Sequence, residues 1–284
     1  MFSKIARFLS FVQNHLKAMI FVLIVFLLIS APKEPQPNLY RIDLYGEIFT
    51  ADKFLEAIDE AKADHIKGVL LVVDSPGGAV APSVEMMMAI RDLQKEKPVV
   101  AYAQGVMASG SYYASIWADE IVANPGGIIG SIGVMVQGVN AEKLLNTIGL
   151  EFFTAKAGDY KEIGAFYRKM TEAERKELDS LIADIYSMFV GDVAEARSLE
   201  VKDAAKFANG RVFTPRQAAE AGLIDRVGSL DNAARLVEEK AKVKSPIWNQ
   251  KSKAQKFIEM LREQSRLLIL DLLEPKLKAK IELD

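Results

Sequence analysis

With 284 residues, half of them hydrophobic, the chain can bury one large core and still carry appendages. Its 36 Lys and Arg nearly balance 38 Asp and Glu; a net charge of −2 supplies no basic field, so nucleic acid is not expected as a partner. The absence of cysteine excludes disulfides and thiolate chemistry, and two histidines, His15 and His65, are too few for a multi-histidine metal centre, so neither metal nor cofactor is expected.

Residues 1–17 are basic, with Lys4, Arg7 and Lys17 and no acid, and Ala18 to Ile29 is uninterrupted apolar sequence. The segment 18–31 is shorter than the roughly 20 residues a bilayer core asks for, but Lys17 can snorkel and the apolar stretch around Phe8 to Val12 adds length. An uncleaved transmembrane helix is favoured over a cleaved signal peptide, because Ile29 would occupy a position that normally takes a small residue. The positive flank stays in the cytoplasm, which predicts a single-pass protein of the cytoplasmic (inner) membrane with its main domain on the extracytoplasmic side. Residues 32–38, with Pro32, Pro35 and Pro37, read as a stiff linker.

From residue 39 to 244 strand and helix patterns alternate. Leu39 to Leu44 reads as a strand, Ala51 to Ala63 as a helix, and Gly68 to Val73 as a strand buried on both faces. Asp74-Ser-Pro-Gly-Gly78 is expected to break that strand before a helix over Pro82 to Lys95. A strand at Pro98 to Ala103 leads into Met107-Ala-Ser-Gly110 and a helix through Trp117; further strands are expected at Glu120 to Ala123 and at Glu151 to Thr154. Thr171 with Glu174 forms a capping box opening a long helix to Ala196, and Pro215 to Ala221 forms another helix closed by Gly222. The alternation argues for an α/β domain with a largely parallel sheet, its chemistry at the carboxyl ends of strands. Residues 245–284 read as a helical tail that packs on the domain, contacts another subunit or lies on a membrane, in that order of preference.

Serine chemistry needs a base. His15 sits at the membrane edge and His65 precedes a strand, so a Ser-His-Asp triad is disfavoured, and the Gly-x-Ser-x-Gly elbow is absent. The other common activator is a lysine held neutral by burial. Lys161, in the glycine-flanked Gly158-Asp-Tyr-Lys-Glu-Ile-Gly164, stands apart from lysines on solvated helical faces, although a surface loop lysine is the bland alternative. Gly77-Gly78 and Gly110 can bring backbone N–H groups close to an oxyanion, or can simply form tight turns.

In order along the chain stand Asp74-Ser-Pro-Gly-Gly78, Met107-Ala-Ser-Gly110 with Tyr112-Tyr113, Gly130-Ser-Ile-Gly133, and Gly158 to Gly164 with Met170-Thr-Glu behind it. This set resembles the signal peptide peptidase A (protease IV) family of serine peptidases, in its half-length, single-domain form. The resemblance implies a ClpP/crotonase-like spiral of ββα units. It also implies Ser109 as nucleophile, Lys161 as general base, Ser131 orienting that lysine, and Gly78 and Gly110 forming the oxyanion hole. It further implies a ring-like homo-oligomer, an octamer, in which Lys161 of one subunit serves Ser109 of the next, and remnant signal peptides or other apolar peptides as substrates. Where the family usually has a second glycine this chain has Ser111, a rival hydroxyl. The alternatives are a peptidase acting on one specific membrane protein, an inactive crotonase-fold scaffold and, more remotely, an acyl-CoA enzyme.

Overall fold

A computed structural model describes residues 36–249 and, singly, His15 and Ala18. The chain divides into two compact units, Met1–Gln36 and Pro37–Asp284, and every element below belongs to the second. The expected anchor, apart from Ala18, and the tail beyond residue 249 lie outside the described residues. No helix among the described residues is long and apolar enough to cross a membrane.

The elements run β1 (Leu39–Ile48), α1 (Asp52–Ala61), β2 (Gly68–Gly78), α2 (Val80–Leu93), β3 (Val99–Ala108), α3 (Gly110–Ser115), β4 (Glu120–Ala123) and β5 (Ile128–Gly130). They continue with α4 (Glu142–Thr147), α5 (Glu172–Ala196), α6 (Ala204–Phe207), β6 (Val212–Phe213), α7 (Pro215–Glu220), β7 (Arg226–Val227) and α8 (Leu230–Lys240). The strands form one sheet in the order β1-β2-β3-β4-β7, with β5 joined to the far end of β3 and β6 to β5. All pairings are parallel except β5 with β6. The domain is therefore a parallel-sheet α/β fold, as the alternation predicts.

The apolar run of β2 explains the layering. Val69, Leu71 and Val73 point into the larger core with α1 to α3, whereas Leu70 and Val72 point into a smaller core with Ala233 and Val237 of α8. A strand covered on both faces needs apolar side chains at every position, which is why its sequence does not alternate. The expected capping box of Thr171 with Glu174 forms at α5, and two more are present, Thr214 with Gln217 at α7 and Ser229 with Asn232 at α8. Gly222 follows α7 at φ 76°, the left-handed conformation that closes a helix. On the outer side of β1 the Asn38 and Leu39 N–H groups donate to the Ile247 carbonyl at 2.8 and 3.1 Å, so residues 247–249 line the start of that strand.

Three expectations need correction. Asp74 to Gly78 does not break β2: the strand bulges between Val73 and Ser75 and then continues, pairing Glu47 with Gly77 and Ile48 with Gly78. The glycines serve close approach rather than a turn, since a Cβ at Gly78 would lie 2.1 Å from the Ile48 carbonyl oxygen. Likewise β3 runs past Ala103 to Ala108, because its last three residues find a new partner in β5. Glu151 to Thr154 is not a strand. Apolar, β-prone residues make a strand only where a ladder is available, and here Phe152 instead stacks on Tyr167 at 4.7 Å, with Phe166 edge-on at 5.3 Å.

Candidate active site

β3 ends at Ala108 and α3 starts at Gly110, which leaves Ser109 alone at the junction with φ 52° and ψ −124°. A side chain is rarely found there, and holding one costs about 1–3 kcal/mol unless the surroundings impose it. They do so by hydrogen bonds on both sides: the Ser109 N–H donates to the Gly130 carbonyl at 2.8 Å, and the Ser109 carbonyl accepts from Tyr113 N–H at 2.9 Å. The Ser109 side chain caps no helix, so its hydroxyl is not consumed by the fold. The result is a sharp strand-to-helix turn that presents a serine at the carboxyl edge of a parallel sheet.

Gly77 and Gly78 sit against this turn. A Cβ at Gly77, whose φ is 92°, would lie 2.5 Å from the Gly110 nitrogen and 2.9 Å from the Ser109 Cβ. A Cβ at Gly110 would lie 3.3 Å from the Gly78 nitrogen, which puts the two amides side by side. Gly110 opens α3, where N–H groups lack intrahelical acceptors. Two adjacent backbone amides beside a serine hydroxyl are what an oxyanion requires. Gly77→Ala is expected to keep the sheet but lower kcat/KM about 100-fold, because displaced reacting groups cost that much; steady-state kinetics beside circular dichroism checks it.

Ser111, the rival hydroxyl, is fully buried. Its Oγ accepts from Ala108 N–H at 2.9 Å and donates to the Ser75 carbonyl at 2.6 Å, pinning the start of α3 to β2 and β3. Ser75, itself buried, accepts the Gly77 N–H at 3.2 Å. Ser111 thus aligns the loop around Ser109 and is withdrawn from substrate.

A cavity of about 630 Å³ lies over the junction, lined by Glu47, residues 76–80, Ser109, Ser131, Gly133 to Met135 and Gly210. A small, mostly apolar recess of about 20 Å³ beside Ser109 and Gly110 is walled by Val80, Ser83, Tyr113, Val134, Ile185 and Phe189. Tyr113 is stacked on Phe189 at 4.2 Å and its hydroxyl donates to Asp192; burial, and then that bond, push its pKa up. The phenol stays neutral and keeps this wall uncharged.

The structure brings Ser109, Ser131, Gly78 and Gly110 together; Lys161 is set apart. It is exposed, on a turn within 157–164, and lines neither cavity. The segment that carries it is tied down by ion pairs. Glu162 accepts from the Tyr167 hydroxyl and pairs with Lys156 at 2.9 Å, while Arg168 bridges Glu162 at 3.5 Å and Glu174 at 2.6 Å. The bond from Tyr167 and then that from Lys156 lower Glu162 to about 2; Arg168 and then the Thr171 N–H do the same for Glu174. Because both folded values lie below the ordinary 4.5, the tethering is complete above that pH and is lost as pH falls toward 2. Amide protection over residues 154–168, corrected for intrinsic exchange, should therefore fall in that window before protection of β2 and β3 does.

Sequence reasoning met Gly130 only as the first residue of Gly130-Ser-Ile-Gly133, without a role, and did not find Arg211 and Phe213; their part in the site is a matter of contacts between distant segments. His65 lies exposed on the turn before β2, away from the site.

A parallel α/β sheet with a strained serine at a strand end, facing two glycine amides and an apolar recess, has the build of a serine-type peptidase. Comparison with known proteins agrees: the model for peptidase family S49 matches residues 91–244. The chain is 42% identical over 188 residues to a Methanocaldococcus jannaschii protein named as a candidate protease, covering 66% of this chain and 60% of that one. It is 38% identical to a similarly named protein of Synechocystis sp., covering 68% and 70%. It is 34% identical to the chloroplastic serine protease SPPA of Arabidopsis thaliana, covering 70% of this chain but 30% of that one. The matched region thus spans 60% of the first relative's length and under a third of the last. A solved mutant of the 1510-N membrane-bound stomatin-specific protease, in complex with a substrate peptide, superimposes with TM-score 0.50 at 17% identity over 81% of this chain and all of that one, a likeness of fold. The protein belongs to peptidase family S49, a family of serine-type proteases.

Proposed function

We propose that the protein is an endopeptidase that cleaves apolar peptides with a Ser-Lys dyad, Ser109 as nucleophile and Lys161 as base. The observation that carries this is the strained Ser109 turn facing the Gly78 and Gly110 amides. Ser109 Oγ attacks the scissile carbonyl carbon while its proton passes to the Lys161 amine, and the carbonyl oxygen, now an anion, sits between the two amides. Collapse breaks the C–N bond, the lysine proton leaves with the amine, and an acyl-serine remains. Lys161 then takes a proton from water, whose oxygen attacks the ester; the acid product departs and Ser109 recovers its proton. Ser131, in the same cavity, orients the lysine.

Lys161 reaches Ser109 from a neighbouring subunit in a homo-oligomeric ring. Two features support this reading: Lys161 lines neither the cavity nor the recess at Ser109 of its own subunit, and its stretch of chain exposes Met135, Val139 and Phe153 at 81%, 78% and 94%. Apolar side chains so exposed mark a contact surface, and a covering subunit supplies the desolvation a lysine base needs. The division of β3 between β4 and β5 supports the spiral of ββα units.

The recess beside Ser109 suits a small apolar side chain, and the wider groove suits an extended chain. Remnant signal peptides have that chemistry, and a chain anchored by residues 18–31 in the inner membrane, with its catalytic domain outside, would meet them. The test is hydrolysis of fluorogenic peptides with Ala, Val, Asp or Lys before the cleaved bond, alongside mass mapping of a fluorophosphonate adduct. Cleavage after Ala or Val with the adduct on Ser109 is expected. Cleavage after Asp or Lys alone, or an adduct on another serine, would sink the proposal.

A further inference from the structure

Two non-glycine residues of this site hold left-handed backbone, Ser109 at φ 52° and Ser131 at φ 50°. A single segment some eighty residues beyond Ser131 holds Ser131 directly and Ser109 through Gly130. The Ser131 N–H donates to the Arg211 carbonyl at 2.9 Å, and the Gly210 N–H donates to the Ile132 carbonyl at 2.9 Å. β6 pairs Gly130 with Val212 and Ile129 with Phe213. Between these bonds the Phe213 ring lies on Gly130, where a Cβ would meet Phe213 Cδ2 at 2.8 Å. Gly130 is also the residue whose carbonyl accepts the Ser109 N–H at 2.8 Å. The Arg211 guanidinium, 4.5 Å from the ring centroid, covers Phe213 from outside, and Phe213 is buried.

We infer that Phe213 is a positioning residue for hydrolysis: pressed onto Gly130 by Arg211, it sets the peptide that links the two serines and so aims both hydroxyls into the cavity. Phe213 itself lines neither that cavity nor the recess. It acts through Gly130, whose φ of 105° and missing side chain let the ring approach the backbone. Moving the ring lets the Gly130 carbonyl turn, which frees the Ser109 N–H and Ser131 together. A core phenylalanine without this role would affect stability alone. The inference rests on Ser109 being the nucleophile.

The experiment compares full-length wild type, Phe213→Leu, Phe213→Tyr and Ser109→Ala by kcat, KM, acylation rate with a fluorophosphonate and thermal midpoint, all read well below each midpoint. Leucine keeps an apolar filling but not a flat face. A groove of about 350 Å³ lined by Phe213, Lys206 and Gln217 gives room for the tyrosine hydroxyl. For Phe213→Leu, kcat and the acylation rate should fall about tenfold or more with KM within twofold, since displaced reacting groups cost rate rather than binding. Phe213→Tyr should restore the wild-type rate to within a few-fold. A Phe213→Leu enzyme with wild-type kcat and a lowered midpoint, while Ser109→Ala is inactive, would overturn the inference. If Ser109→Ala were fully active, the nucleophile assignment itself would fail. Arg211→Ala keeps the backbone bond to Ser131 and covers the case in which Phe213→Leu does not fold: a several-fold lower kcat at unchanged KM supports the inference, and a wild-type kcat overturns it.

Discussion

Ser109→Ala and Ser109→Gly should both abolish peptide hydrolysis, by about 10³-fold or more as for other serine nucleophiles, yet they should differ in stability. Alanine keeps a Cβ at φ 52° and ψ −124°, so it keeps the strain. Glycine relieves it. Against a strain of about 1–3 kcal/mol stands the extra chain entropy of glycine, about 0.5–1 kcal/mol. The glycine variant should therefore match or exceed the alanine variant, by up to about 2.5 kcal/mol, at a few degrees of thermal midpoint per kcal/mol for a domain of this size. Differential scanning calorimetry beside a fluorogenic assay reads both effects. An alanine variant more stable than the glycine variant would mean that the turn is not strained, and activity in either variant would mean that another hydroxyl attacks. Ser111 is a poor substitute, because both its donor and its acceptor capacity are used by the backbone of β2 and β3.

The second large effect concerns Lys161. Lys161→Ala and Ser109→Ala should each be inactive alone, and a mixture of the two, dissociated and reassembled, should regain activity. In a symmetric ring with random mixing, about one quarter of sites would join an intact serine to an intact lysine from the next subunit. Restored activity near a quarter of wild type supports catalysis across the interface. An inactive mixture of demonstrably mixed oligomers would place Lys161 and Ser109 in one subunit, and full activity of Lys161→Ala would require a different base. The assay has a structural motive: Lys161 is exposed on a turn and lines neither the cavity nor the recess at the Ser109 of its own chain.

Much of this protein is legible from local rules. The unbroken apolar run of Gly68 to Val73 announces a strand covered on both sides, and the two cores do cover it. Thr171 with Glu174 marks the start of α5 because capping is chemistry between residues three apart, and Pro215 and Gly222 mark the two ends of α7 by their own backbone preferences. With two histidines in the chain, the choice of base is narrow from composition alone. Other features are not local. Whether Asp74 to Gly78 turns or continues depends on Ile48 lying alongside, and whether Phe152 enters a strand depends on a partner that never arrives. Ser109 and Ser111 are equivalent as letters. They are separated by a backbone dihedral at one and by two buried hydrogen bonds at the other, both set by segments far away in the chain.

The sequence alone determined the strand–helix alternation, the helix caps and the residue types from which a serine peptidase can be made, because each depends on spacing within one or two turns of chain. Only the tertiary structure decided which serine faces the cavity, that Gly77 and Gly78 press against the start of α3, and that β6 holds Gly130. Those are contacts between segments tens of residues apart, and their geometry is set by the packing of the whole sheet.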